Sequence, residues 1–317
     1  MTITITHPAD PASAVNLLSS LPPLLDCAAA SAALHPDRLR RAFGTPDRPG
    51  PRTPDLVWVA SDPYGQPLAA VAGLDLGDQA VLDVVGGVHP EAVREVVAAA
   101  ARAVEGRTWS VACLYGPPGS GYHSPGLEPW RAGLEAAGWG LLTERNHYEH
   151  PPVGLDRAAP LAAASRLRLE RLADPADPRL PGLVREVLDG TGDVADRAAL
   201  TCFGVEKVVA SVVDDLAGDD LRLVFDERGA LVGYVAWSIS GTGTGCLEAV
   251  GVDRRHRGHG YGRELAALAT VALVEAGCHT LLADTDVTNT AMVRAFADLG
   301  WHVSEQRTDA VPVRLLP

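Results

Sequence analysis

Val250-Gly251-Val252-Asp253-Arg254-Arg255-His256-Arg257-Gly258-His259-Gly260-Tyr261-Gly262-Arg263 is the stretch on which the reading of this chain turns. It begins inside an apolar run, 246–252, that reads as a strand. It ends at the start of 262–276, where Leu265, Leu268, Ala269 and Ala272 recur at the spacing of one helix face. Gly277 follows as a natural C-cap. Between strand and helix, Gly258, Gly260 and Gly262 let the backbone come close to a ligand, because no Cβ stands in the way. The start of a helix offers N–H groups with no intrahelical partner and the positive end of a dipole, a setting that suits phosphate oxygens. Arg254, Arg255 and Arg257 add positive charge at the rim. The loop is a candidate pyrophosphate cradle; without a ligand the same residues would be a glycine-rich helix entry.

Working outward, the chain repeats itself. Asp62-Pro-Tyr-Gly65-Gln-Pro-Leu-Ala-Ala-Val71 matches Asp226-Glu-Arg-Gly229-Ala-Leu-Val-Gly-Tyr-Val235 at an offset of 164 residues. Each is a turn at glycine between apolar strands, which reads as a hairpin. Gly87-Val88 faces Gly251-Val252 at the same offset, and Gly138-Trp139 faces Gly300-Trp301 at 162. Four landmarks in one order indicate two copies of an α/β domain. Strand 110–114 matches 280–284 at an offset of 170, so the second copy has six extra residues, and these fall in the cradle. The second copy reads β-α-α-β-β-β-α-β-α-β-β. Its strands lie at 166–172, 221–225, 231–239, 246–252, 280–283, 302–306 and 311–315, its helices at 180–188, 198–216, 262–276 and 290–299.

The 317 residues suit two domains, and with 47% hydrophobic and 21% charged residues the composition is globular. No run of 18 uncharged apolar residues predicts a membrane span, and the N-terminus lacks the pattern of a secretory signal. Cys27, Cys113, Cys202, Cys246 and Cys278 are scattered without a C-x-x-C pair, which predicts free thiols and a cytoplasmic location. Cys113, Cys246 and Cys278, in apolar strand-like runs, are expected to be buried and inert. The net charge of −13 is spread evenly, which opposes nucleic acid as a partner and favours a cationic small molecule.

Arg257-x-x-Gly260-x-Gly262, placed between that strand and that helix, resembles motif A, [Q/R]-x-x-G-x-[G/A], of the GNAT superfamily of N-acetyltransferases. The segment Asn289-Thr-Ala-Met292-Val-Arg-Ala-Phe296-Ala-Asp-Leu-Gly300-Trp301 resembles the family's next signature, at the expected distance after the following strand. The likeness covers 165–317 and reaches the first copy through the repeat. It implies an α/β (α+β) fold of two tandem GNAT-like domains, each a mixed, mostly antiparallel sheet flanked by helices. The expected division is a degenerate domain at 1–150, a linker at 151–164 and a catalytic domain at 165–317. The resemblance further implies acetyl-CoA as acyl donor and the amine of a small molecule as acceptor, with no metal. The protein would be a monomer or homodimer. Val250, Gly251 and Val252 would pair with the pantetheine arm. Arg257, Gly258, His259, Gly260, Tyr261, Gly262 and Arg263 would hold the pyrophosphate. Asn289 and Phe296 would lie along the CoA arm.

Acyl transfer to an amine requires a base to take a proton and a donor to polarise the thioester carbonyl. An N–H near Val252 suits the second role. Glu248 suits the first: four residues before Val252, it would share a strand face with Val250 and Val252. Its counterpart at offset 164 is Val84, so the fold itself would not call for an acid there. Asp284 and Asp286 are alternatives, although turn and capping roles suit them equally. Many family members carry a tyrosine, assigned to protonating the thiolate, where this chain has Phe296, so Tyr261, Tyr234 or water would take over that step. The competing reading is a CoA-binding sensor without chemistry. The first copy, with Val88-His89-Pro90-Glu91 running straight into a helix, lacks a cradle, and Glu91 would repel phosphate.

Overall fold

The computed structural model describes the chain apart from residues 1, 46, 152–154, 173, 175 and 218–219. The first strands are β1 (Thr4–Thr6), β2 (Gly44–Thr45), β3 (Arg48–Pro49), β4 (Val57–Ser61), β5 (Pro67–Asp75), β6 (Gln79–Gly87), β7 (Trp109–Gly116) and β8 (Trp139–His150). Helices α1 (Pro11–Ser20), α2 (Ala28–Ala33), α3 (Pro36–Phe43), α4 (Pro90–Val104) and α5 (Glu128–Ala136) fall among them. Then come α6 (Ala158–Ala163), β9 (Arg168–Arg171), α7 (Arg179–Leu188), α8 (Val194–Phe203) and α9 (Val205–Leu216). The chain continues through β10 (Asp220–Phe225), β11 (Leu231–Ile239), β12 (Thr244–Val252), α10 (Tyr261–Glu275), β13 (Thr280–Asp286), α11 (Thr290–Leu299) and β14 (His302–Pro312).

Two compact units result: Met1–Glu144 with Glu305–Leu316, and Arg145–Ser304 with Pro317. They are not the segments 1–150 and 165–317. The end of β14 pairs with β7 in the first unit, Gln306 opposite Gly116 and Ala310 opposite Ala112. The end of β8 pairs with β13 in the second, His150 opposite Leu281 and Arg145 opposite Asp286. The stretch expected as a linker holds α6, whose Ala158 is fully buried in the second unit's core; residues 152–154 lie outside those described.

In the first unit the hydrogen-bonded strand order is β1-β4-β5-β6-β7-β14. All of these neighbours are antiparallel except β6 and β7. Alternation along each strand fills two cores. Trp58, Ala60, Ala69 and Val71 face α4 and α5, while Val57, Val59, Ala70 and Ala72 face α1 and α3. The second unit has the order β8-β13-β12-β11-β10-β9, parallel only at β12 and β13. Val232, Val235 and Trp237 face α6, α10 and α11, and Tyr234 and Ala236 face α7 and α9. Fully burying one such apolar side chain is worth about 1.5–3 kcal/mol. Trp301 also satisfies its indole: Nε1 donates to Thr270 Oγ1 at 3.2 Å.

The internal repeat extends to single hydrogen bonds. Asp62 Oδ1 accepts from the N–H groups of Tyr64 and Gln66, and Asp226 Oδ1 from those of Arg228 and Ala230. Gly65 and Gly229 close these turns at φ of 82° and 79°, a left-handed conformation that glycine adopts without a Cβ clash. Two details differ from the sequence reading. The single helix expected at 198–216 is broken into α8 and α9 at Gly204, whose φ is 79°. The two strands expected at 302–306 and 311–315 are one strand, β14. Of the cysteines, Cys113 and Cys278 are buried as expected, but Cys246 is only half-buried, because it lies on the strand face opposite Leu247.

The unit boundaries predict how a fragment behaves. Residues 155–317 lack 145–150, which flank β13, and expose Ala310 and Val311, both fully buried in the intact protein. That fragment should be insoluble or unfolded by circular dichroism; a soluble fragment with a cooperative thermal transition would contradict the exchange of strands.

Candidate active site

An irregularity in β12 creates the site. Val235 lies opposite Val250 and Ala236 opposite Ala249, but Trp237 lies opposite Leu247, so Glu248 is an extra residue without a partner in β11. Such a bulge bends its strand and increases its twist. The parallel pairing of β12 with β13 stops at Leu247 opposite Ala283, whereas the pairing with β11 runs on to Val252. One edge of β12 over 248–252 is therefore unpaired with a strand among the described residues, and backbone groups there face a cleft. The bulge also overturns the expected alternation. Leu247, Val250 and Val252 all pack on the core under α10, so Glu248 does not share a face with Val250 and Val252. Its side chain is exposed, and Oε1 accepts a short hydrogen bond from Ser238 Oγ.

At the far end of the cleft stands the cradle. Gly258 and Gly260 hold φ of 81° and 83°, and a Cβ added at either would meet nothing within 4 Å. Gly260 is the N-cap of α10. Among the described residues, the N–H groups of Gly258, His259, Gly260, Tyr261 and Gly262 find no acceptor outside this turn, so a row of donors lies at the positive end of the helix.

The arginines do not line this rim as expected. Arg257 turns back into the protein: Nε donates to the Val252 carbonyl at 3.2 Å, Nη1 to Gly190 at 2.6 Å and Nη2 to Val187 at 2.5 Å. It ties the cradle to the C-terminal end of α7, where a cation complements the helix dipole. Arg254 pairs with Asp189, Arg255 with Asp253, and Arg263 with Asp298. The cradle thus offers amides rather than guanidinium groups. His259 stacks on Tyr261, with ring centroids 5.7 Å apart. Tyr261 does not line the cavity that holds Glu248.

That cavity, about 310 Å³, opens where β12 and β13 part. Glu248, Ala249 and Val250 line it from β12, Asp284 and Thr285 from β13, and Asn289, Met292 and Phe296 from α11. Asn289 is the N-cap of α11, accepting from the Met292 N–H at 3.5 Å and donating to Thr285 Oγ1 at 3.3 Å. Phe296 is 2% exposed and packs its ring on Tyr148 at 4.6 Å, so it forms wall and core together. Asp284 binds Arg145 at 2.9 Å. Asp286 is fully buried and accepts from the N–H groups of Val194 and Thr288, which makes it a structural pin rather than a base.

Apart from Tyr234, named above as a candidate proton donor, the opposite wall was not visible in the sequence. Asp193 and Asp196 from α8, Asp215 from α9 and Tyr234 from β11 reach the same cavity. Asp193 caps α8 and accepts from Arg145 at 2.9 Å. Burial, followed by the charge of Asp193, raises the Asp196 carboxyl to about 6. Tyr234 is 5% exposed, and burial pushes its phenol well up. Gly251 must remain glycine beside it, since a Cβ would come within 2.6 Å of the Tyr234 ring.

The first unit repeats the geometry and fills it. In β6 the residue left out of register is Asp83, between Val84 opposite Ala72 and Leu82 opposite Gly73. Its parallel pairing with β7 also stops there, at Leu82 opposite Ala112. Asp83, not Val84, is therefore the counterpart of Glu248, and an acid stands at the bulge in both copies. In the first unit it is consumed by a bidentate ion pair with buried Arg52, at 2.7 and 2.8 Å. The unpaired edge is also occupied: the Gly87 N–H donates to the Pro22 carbonyl at 3.0 Å, and Pro23 bridges to Gly86.

A pH effect follows. A carboxyl that titrates higher in the folded than in the unfolded state binds its proton more tightly when folded, so it costs stability as pH rises from about 4 to 6 and keeps that cost above. Asp196→Asn should therefore raise Tm by a few degrees at pH 7.5, about 1 to 2 kcal/mol after allowing for partial exposure, and leave Tm unchanged near pH 4. Equal Tm values for both proteins at pH 7.5 would refute the raised titration.

Residues 200–301 match the model of the acetyltransferase (GNAT) family. Among curated protein sequences none matches the chain. The structure is similar to a GCN5-related N-acetyltransferase from Sphaerobacter thermophilus, at 16% identity over 99% of this chain and 96% of that one, with a TM-score of 0.57. It is also similar to a tandem GNAT protein from the clavulanic acid biosynthesis pathway, at 19% identity over 98% and 97%, with a TM-score of 0.53. Both likenesses span nearly the whole of each chain and establish a shared fold. Residues 200–301, with their splayed strands and glycine cradle, thus match the acetyltransferase (GNAT) family, and the chain as a whole shares the fold of these two GNAT proteins.

Proposed function

We propose that the second unit transfers an acetyl group from acetyl-CoA directly to a primary amine of a small molecule. The observation that carries this reading is the parting of β12 from β13 at Glu248, which leads from an open strand edge to a row of amides at the start of α10. The edge of β12 at Val250, Gly251 and Val252 suits the amide-bearing pantetheine arm. The N–H groups of Gly258, His259, Gly260, Tyr261 and Gly262 suit the pyrophosphate, and Asn289 and Phe296 stand along the arm where it enters the cavity.

Glu248 then serves as base. It lies at the bulge where the arm would end, and Ser238 orients its carboxylate. The acceptor ammonium gives a proton to Glu248. The freed nitrogen lone pair forms a bond to the thioester carbon, and a backbone N–H of β12 stabilises the charge on oxygen. The C–S bond breaks, the sulfur leaves as thiolate, and the second proton on the new amide nitrogen passes to that thiolate or to water, so departure needs no enzyme acid. Tyr261, stacked on His259, has its place at the pyrophosphate end. The first unit, its cleft plugged by residues 22–23 and its bulge acid held by Arg52, binds no donor.

Acetyl-CoA at 100 times its dissociation constant should stabilise the protein by about 2.7 kcal/mol, a visible rise in Tm. Glu248→Gln should retain that rise while CoA release falls by roughly 100-fold or more, the range of a lost general base. Wild-type turnover in the variant would remove Glu248 from the mechanism, and no Tm change at millimolar acetyl-CoA would reduce the loop to a helix entry.

A further inference from the structure

We propose that the acceptor carries two amines, one held as an ammonium at the Asp196–Asp215–Tyr234 wall while the other is presented at Glu248. The inference deepens the acyl-transfer reading and rests on it. Five carboxylates line the cavity: Asp193, Asp196, Asp215, Glu248 and Asp284. Arg145 is the one cationic side chain among the described lining residues, and it already binds both Asp193 and Asp284, each at 2.9 Å. Asp196, Asp215 and Glu248 make no ion pair among the described residues. A cavity of this size with three uncompensated carboxylates attracts a cation with more than one charge.

Tyr234 gives this cluster its second and independent mark. The residue is only 5% exposed, it lines the cavity, and its hydroxyl makes no hydrogen bond to the described residues. The ring is held in the core while the hydroxyl opens on the cavity, where the donor of a ligand can reach it. An ammonium has three donors and no acceptor. The Tyr234 oxygen, the Asp196 carboxylate and the Asp215 carboxylate supply three acceptors. The two carboxylates come from α8 and α9, across the cavity from β12, so a bound cation there leaves Glu248 free to deprotonate a second amine. Asp196 is held back from full ionisation near neutral pH by burial and by Asp193, with Arg145 and Arg197 acting the other way. A bound ammonium would restore its charge, so binding should weaken as pH falls below about 6.

The test uses the full chain with 1,4-diaminobutane, 1,8-diaminooctane and butylamine. Binding is followed by calorimetry without donor, and CoA release is followed separately with acetyl-CoA. At least one diamine should bind tenfold or more tightly than butylamine at pH 7.5. The ratio should shrink at pH 5.5 and collapse toward one in Asp196→Asn and in Tyr234→Phe. Asp196→Asn removes a group that costs stability, so it should remain folded. Equal affinities for diamines and butylamine, or no diamine binding, would overturn the proposal. Selective diamine binding with neither acetyl-CoA binding nor CoA release would instead uphold the dication site and reject acyl transfer.

Discussion

The extra residue in β12 governs most of what is distinctive about the second unit. A regular strand would continue its parallel ladder with β13 and leave no opening. With Glu248 inserted opposite Ala236 and Trp237, the ladder ends at Leu247, the strand bends, and the backbone groups beyond it turn toward a cleft. The same insertion places a carboxylate at the apex. Cleft, open edge and acid therefore share one cause, and β13 and α11 close the far wall around them. Arg257 then fixes the cradle by donating from each of its three guanidinium nitrogens, to the carbonyls of Val252, Gly190 and Val187.

The first unit shows that this geometry alone does not make a site. It has the bulge, the acid and the interrupted ladder, yet Pro22 and Pro23 take up the strand edge and Arg52 neutralises Asp83. With glutamate and no arginine at the equivalent place, and with amides gathered at Gly258 and Gly260, the second unit keeps the opening and its charge. Apart from the cradle loop, the divergence between the copies lies in what occupies the cleft, while the order of strands around it is the same.

Much of the fold was legible in the sequence. The hairpin turns at Asp62 and Asp226, the period of Leu265, Leu268, Ala269 and Ala272, and the helix from Thr290 to Leu299 follow from short-range rules, and the structure agrees with them. The cradle glycines were legible for the same reason. The face of Glu248 was not, because a bulge shifts the period by one residue and leaves no mark in composition. For that reason Val84 stood in for Asp83. Asp196 and Asp215 were also hidden, and Tyr234 was singled out only as a proton donor: these residues lie on three separate elements and meet only in the folded unit. The roles of Arg254, Arg255 and Arg257 depended on partners as distant as Asp189 and Val187, which local spacing does not reveal.

The exchange of strands also has a consequence for synthesis. The first unit needs residues 305–316, which are made after β8 to β13, so β7 stays without this neighbour while those strands are synthesised. Its contacts join residues as distant in sequence as Ala112 and Ala310 or Ala29 and Glu305, separations that slow folding through the entropy of loop closure. A nascent chain of this kind would present a bare strand edge throughout that interval. It would also tie the two copies into a single folding event, so that neither could be removed by truncation without leaving the other incomplete.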